Sequence, residues 1–321
     1  MAALLRGADG TLRAGAVLVR QSGRVVRAAV NEYSDDWDAV AVDDSARRLL
    51  WSQIAELPAA RLTLPGVPAA SPSVAIASEA LRAVGYRVAV TREQLSPYVE
   101  LPESWEELLA MLSRNQRSQV RRHRKRLERE GRLAFRTATG PDLDGALDRF
   151  FQLEASGWKG AAGTAIQSDS RAVRLYTDFA HASASRGWLR LYVLELDGVT
   201  IAADYSCVLG DAAFLLKTCY DERFARLSPG MVLRSEALRA AIGEGLPVYE
   251  FQGGPDSYKV RWGGELRERL LVRGYRGTAL SAYLYRHKLR PAARRLRDVA
   301  VVHRREPASN VTRLCWIGST S

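Results

Sequence analysis

Cysteine is scarce in this 321-residue chain: Cys207, Cys219 and Cys315 are an odd number with no close spacing. That excludes a small disulfide-stapled scaffold and fits a reducing compartment. Histidine is almost as rare. His123, His181, His287 and His303 lie far apart, and none stands in an HxxxH or CxxC context. No metal-ligand motif is legible, so metallohydrolase chemistry has no support and no metal is expected. Long apolar runs are missing too. None approaches the roughly 18–20 residues of a membrane span. Arg6 and Asp9 interrupt the first segment before a signal-peptide core could form. The expectation is a cytoplasmic protein with no transmembrane segment.

What is present is the composition of a folded protein, 47% apolar and 26% charged, with length enough for two ordinary domains. The net charge is +11 and is unevenly spread. From Arg114 to Arg136 there are ten basic residues against two acidic ones, Glu128 and Glu130, and a second basic region runs from Arg286 to Arg305. A basic surface attracts phosphates of nucleic acid, of a phosphorylated cofactor or of a membrane. The Arg114–Arg136 segment lacks the interleaved aromatics that would stack bases. It reads as a solvated connector helix that could also clamp a phosphate-rich ligand such as tRNA.

Strand and helix signals alternate over the first hundred residues. Thr11–Arg20 and Arg24–Val30 flank a Gln21-Ser22-Gly23 turn, and Asp38–Val42 is a third strand. Ser45–Leu57 has helical spacing and a Ser N-cap, followed by strand Arg61–Leu64, helix Ser73–Val84 and strand Tyr86–Val90. Ser104 with Glu107 is a capping box whose helix runs on into the basic stretch, which ends at Gly131.

The second half is clearer. A strand at Leu133–Thr137 precedes a helix from Pro141 with Leu143, Ala146, Leu147, Phe150 and Phe151 on one face. A second helix, Ser170–Ser185, leads to strands Trp188–Leu196, Val199–Leu209 and Ala212–Tyr220, separated by the turns Asp197-Gly198 and Gly210-Asp211. A helix over Pro229–Ile242 has Ser228 as cap, and strands follow at Val248–Phe251 and Leu266–Tyr275. A basic helix is expected over Ala279–Val302. The two halves share an element order, which reads as a degenerate internal duplication.

The order of the second half, β-α-α-β-β-β-α-β-α-β, resembles the GNAT acyltransferase fold. Three phrases sharpen the likeness: Gly187-Trp188-Leu189-Arg190-Leu191, Leu227-Ser228-Pro229-Gly230, and Tyr249-Glu250-Phe251 with Tyr258-Lys259 and Trp262. With the Arg-rich helix they resemble the CelD/BioF2-like acetyltransferases, relatives of the FemABX peptidoglycan aminoacyl transferases. The resemblance implies an α/β class with a mixed sheet and tandem GNAT-like domains. A degenerate, shortened N-terminal domain would cover residues 1–112, a basic connector helix 113–132, the catalytic domain 133–277, and a basic helix and tail 278–321.

The resemblance also implies a bacterial enzyme that uses acetyl-CoA or another acyl-CoA as co-substrate and a small-molecule amine as acceptor. The acyl-CoA would lie along the strand Ala212–Tyr220, near Thr218 and Cys219, with its pyrophosphate at the following helix start. There Arg226, Ser228, Gly230, Met231 and Val232 stand where the family has Gln/Arg-x-x-Gly-x-Gly/Ala. Pro229 and Met231 replace the two glycine-like positions, and Pro229 removes an N–H donor. Asp204, Tyr220 and Glu250 are candidate bases, and Lys259 matches a basic residue that steadies developing negative charge. Trp158, Lys159 and Tyr258 would border the acceptor. Rival readings are an aminoacyl-tRNA-dependent transferase and a silent GNAT-like module binding nucleic acid through its basic face. An envelope or exopolysaccharide acceptor rests on family analogy.

Overall fold

The structure is a computed structural model. It describes residues 1–289 except residues 32, 158, 159 and 161. Two compact units emerge: Met1–Thr91 with the chain from Leu270 onward, and Arg92–Arg269.

The first unit opens with a strand that sequence reading passed over, β1 (Ala2–Arg6), antiparallel to β2 (Leu12–Ser22). β2 also pairs antiparallel with β3 (Val25–Ala28) and with β4 (Val40–Ala41). Next comes α1 (Asp44–Ala55), and β5 (Arg61–Pro68) returns parallel to β3. Asp43, not Ser45, caps α1, because its carboxylate accepts the Ala46 N–H at 2.7 Å. α2 (Pro72–Ala83) is capped by Ser71 and packs on α1. Leu18, Val26, Leu50, Trp51, Ile54 and Leu62 fill the core between helices and sheet.

β6 (Arg87–Glu100) starts in the first unit and carries on into the second, far beyond the expected Tyr86–Val90. The expected continuous helix is two: α3 (Trp105–Met111) and α4 (Arg114–Glu130). Leu112 and Ser113 are both extended, and the Ser113 hydroxyl caps α4 through Gln116 N–H at 3.3 Å. Nor is α4 a solvated connector. Val120, His123 and Leu127 are buried one helical turn apart.

β7 (Leu133–Ala138), α5 (Leu143–Ser156) and α6 (Ser170–Ala184) follow, then the meander β8 (Leu189–Leu196), β9 (Val199–Leu209) and β10 (Ala212–Tyr220). Asp197 and Gly198 both take positive φ, +51° and +81°, as a two-residue hairpin turn requires. α7 (Pro229–Gly243) leads to β11 (Val248–Glu250), the short α8 (Ser257–Val260) and β12 (Glu265–Tyr275). The second unit's strands lie in the order β6-β11-β10-β9-β8-β7, antiparallel except for the parallel β10–β11 pair. α5 and α6 cover one face, where Phe150 and Tyr176 meet Tyr205. α7 covers the other, with Val232, Leu233, Ala237, Leu238 and Ala241 in the core. The period-2 alternation of β9 therefore sends Tyr205 to one face and its neighbour Asp204 to the other.

After β12 only α9 (Leu280–Leu284) and the turn up to 289 are described, so most of the expected helix Ala279–Val302 lies outside the described residues. Among the described residues no helix is long and apolar enough to cross a membrane.

Leu238 is fully buried under the sheet. Leu238→Ala is expected to cost about 2–5 kcal/mol, read from the urea midpoint of the whole chain.

Candidate functional site

The parallel pair β10–β11 sets the site. Its register is Ala212 with Val248, Ala213 with Tyr249 and Phe214 with Glu250. Pairing then stops, while β10 runs on to Tyr220 and Phe251 N–H turns to the Pro97 carbonyl instead. A register shift against β9 between Leu215 and Lys217 marks where β10 bends away. A cleft of about 510 Å³ opens there. Thr218, Cys219 and Tyr220 form one wall and Ser228–Met231 the next. Tyr258, Arg261 and Trp262 close the third side, and Leu153, Glu154 and Gly157 at the end of α5 the fourth.

Beneath the cleft lies an ion pair removed from water. Arg234 of α7 reaches Asp204 on β9 at 2.8 Å and donates to the Tyr249 hydroxyl of β11 at 2.5 Å. Burial pushes the Asp204 carboxyl up, opposed by Arg234 and by a hydrogen bond from Thr218. Asp204 is therefore an anchor below the site and does not line it. Glu250 is a second anchor, ion-paired with Arg267 at 3.1 Å and Arg269 at 3.8 Å.

Lys259 is buried too. Its Nζ donates to the Gln252 and Gly254 carbonyls at 2.9 and 3.2 Å and pairs with Asp256 at 3.0 Å. It pins the loop after β11, while its neighbour Tyr258 faces the cleft. Burial raises the Tyr258 hydroxyl to about 12, against the pull of Arg234. Tyr220, Thr218, Cys219, Ser228, Gly230 and Met231 line the cleft, whereas Val232 is core and Arg226 is exposed away from the lining. Trp158 and Lys159 lie outside the described residues.

The helix start differs from expectation. Ser228 is not a side-chain cap: it adopts the left-handed conformation, φ +54° and ψ +55°, and its hydroxyl makes no cap bond. Met231 and Val232 N–H both donate back to the Ser228 carbonyl, at 3.0 and 3.4 Å. Pro229 has no N–H, so Gly230 alone of this turn keeps an N–H outside those bonds.

Sequence reading missed Glu154, Glu222 and Arg234. Glu154 was findable. It continues the apolar face of Phe150 and Phe151 at helical spacing, and a carboxylate on a buried face is rare. It is 2% exposed and accepts the Ile166 N–H at 2.8 Å. Glu222 lies across from it, and a Cβ placed on Gly157 would sit 3.2 Å from the Glu222 carboxylate. These carboxylates and the carbonyl end of α5 make one end of the cleft negative, while Arg261 and the start of α7 make the other positive. Among the described residues no His, Cys, Asp and Glu side chains are grouped to hold a metal ion.

Residues 114–260 match the family model of the GNAT acetyltransferase domain. This segment is a GNAT domain. The splayed β10–β11 pair lies inside the matched segment. The chain superposes on FemX with a TM-score of 0.60, at 15% identity over 85% of this chain and 87% of that one. It superposes on L-PGS from Bacillus licheniformis with a TM-score of 0.56, at 12% identity over 88% and 86% of the two chains. At such identities the likeness is one of fold. No curated protein sequence matches the chain.

Two measurements probe this GNAT domain. Arg234→Met strands a buried carboxylate and is expected to cost about 3–5 kcal/mol; adding Asp204→Leu recovers most of it, as chemical denaturation would show. The second concerns His123, which takes the Leu227 carbonyl as partner and leaves Nδ1 buried without one. Burial, with Arg122, Arg126 and Arg261 nearby, holds its pKa below 6.5. The unfolded chain therefore binds the proton more readily. This share of stability is present above about pH 6.5 and lost as pH falls through the folded value. His123→Gln flattens that slope in melts between pH 7 and pH 5.

Proposed function

We propose that this GNAT domain forms an amide by direct acyl transfer to an amine held in the cleft. The observation that carries the reading is the edge of β10 beyond Phe214, released from β11 and lining the opening. A backbone N–H between Thr218 and Tyr220 would polarise the acyl carbonyl. The amine is drawn as an ammonium ion to the negative end at Glu154 and Glu222, gives one proton to water, and reacts as the neutral amine. Glu154 takes the proton from nitrogen as the N–C bond forms. The carbon–sulfur bond of a thioester, or the carbon–oxygen bond of an ester, then breaks. The leaving atom takes its proton from the Tyr258 hydroxyl, which stays protonated at neutral pH. Water returns both side chains to their starting states.

An acyl-CoA is the first donor to test, and an acyl or aminoacyl ester carried on RNA the second. One observation favours the second: the α7 turn commits the Met231 and Val232 N–H groups to Ser228 and Pro229 has none, so Gly230 alone is left to grip a pyrophosphate. Support for the reading comes from the family match and the cleft. The acceptor is a primary amine on a small metabolite, a sugar or an envelope precursor.

The test offers acetyl-CoA or charged tRNA with a panel of amino sugars and amino-acid amides, and follows thiol release or loss of the aminoacyl ester. Transfer from neither donor sinks the reading. With an active pair, Glu154→Gln is expected to lower kcat about 10²–10⁴-fold with little change in KM for the amine. Glu222→Gln is expected to raise KM for the amine and leave kcat nearly unchanged.

A further inference from the structure

The cations of α4 are sorted by role. Arg117 donates to the Leu109, Ala110 and Leu112 carbonyls at 3.3, 3.0 and 3.1 Å, closing the end of α3. Arg124 pairs with Glu128 at 2.8 Å and with Glu236 of α7. The remaining six, Arg114, Arg121, Arg122, Lys125, Arg126 and Arg129, are exposed, and none has an ion pair or side-chain hydrogen bond among the described residues.

At about 100° per residue these six project from one side of the helix. Val120, His123 and Leu127 occupy the opposite side and are buried. Arg121, Lys125 and Arg129 follow one another at i, i+4 and i+8, a rise of about 6 Å per step. From Arg114 the row runs for about 22 Å. Such a repeat matches successive phosphates along a nucleic acid strand. A scatter of basic residues on an ordinary solvated face would be balanced by carboxylates; α4 has only two, Glu128, already occupied by Arg124, and Glu130 at its last position, which makes no ion pair among the described residues.

We propose that the outward face of α4 binds the phosphate backbone of an RNA helix. Charge complementarity selects the partner. A membrane-surface helix would turn apolar side chains outward, but the apolar residues of α4 are all in the core. No aromatic residue lies on α4 to stack a base, so contact is with backbone and is independent of sequence. RNA is favoured over DNA on the transferase reading, on which this part of the proposal rests. A terminal ribose diol can carry an acyl group as an ester, and α4 adjoins the cleft. His123 meets the Leu227 carbonyl, in the same loop whose Ala225 and Ser228 line the opening. Phosphates held on α4 would bring the end of the strand toward Thr218–Tyr220. There the amine nitrogen bonds to the acyl carbon, the bond to the ribose oxygen breaks, and that oxygen leaves protonated.

The experiment measures binding of the full chain to a labelled, unacylated RNA hairpin with a short 3′ overhang, by fluorescence anisotropy over a salt series. A DNA hairpin of the same sequence and phosphatidylglycerol vesicles serve as rivals. Expected are RNA binding tighter than either rival and a steep salt slope. In Arg121→Gln/Lys125→Gln/Arg129→Gln, affinity falls at least about tenfold and the slope drops by about 3, near one unit per lost phosphate contact. All three positions are exposed, and an unchanged thermal melt confirms the fold. Unchanged RNA affinity in the triple variant overturns the proposal, as does equal binding to DNA or to vesicles. Failure of the transferase reading looks different: RNA binding persists and depends on α4, Glu154→Gln leaves it intact, and no donor yields transfer.

Discussion

One guanidinium ties the second unit together. Arg234 extends from α7 to Asp204 on β9 and Tyr249 on β11, passing beneath the strand that lies between them. Taking both charges out of water costs several kcal/mol each, so the pair endures only while its geometry is met on every side. That requirement fixes the seat of α7 at the point where β10 and β11 part. The cleft stays open above because the elements around it are tethered below. Asp204 lies opposite Thr218 in the ladder, so the tether also bears on the strand that would receive the acyl carbonyl.

Much of this was legible in the sequence, for identifiable reasons. The meander β8–β9–β10 was readable because its turns, Asp197-Gly198 and Gly210-Asp211, demand a backbone only such residues accept readily, and the runs between them are apolar. α7 was visible from Pro229 and its closing glycines. β1 was not, because its burial alternates only weakly at a sheet edge. The break between α3 and α4 also escaped, since Leu112 and Ser113 carry no strong signal against helix. The conformation there is set by Ser113 capping the next helix.

The cleft was legible in part. Element order with the family resemblance pointed to residues of β10 and the α7 start, and these line the cleft. Lys259 and Asp204 sit at the right elements, yet their polar atoms are engaged elsewhere, with loop carbonyls and with Arg234. Local pattern gives a residue's element and not the direction of its side chain. Glu154 shows the converse. Its role follows from an apolar face that ends on a charge, a signal that gains meaning once Thr218–Tyr220 is known to stand across the opening.

The two-sided build of α4 separates demands that many binding helices must reconcile. Its inner residues answer to packing, and its six exposed cations have no ion pair or side-chain hydrogen bond among the described residues. Drift along the outer row can therefore strengthen or loosen a grip on an anionic partner while the melting temperature stays put. Selection can set holding strength and foldedness as two independent dials on a single helix.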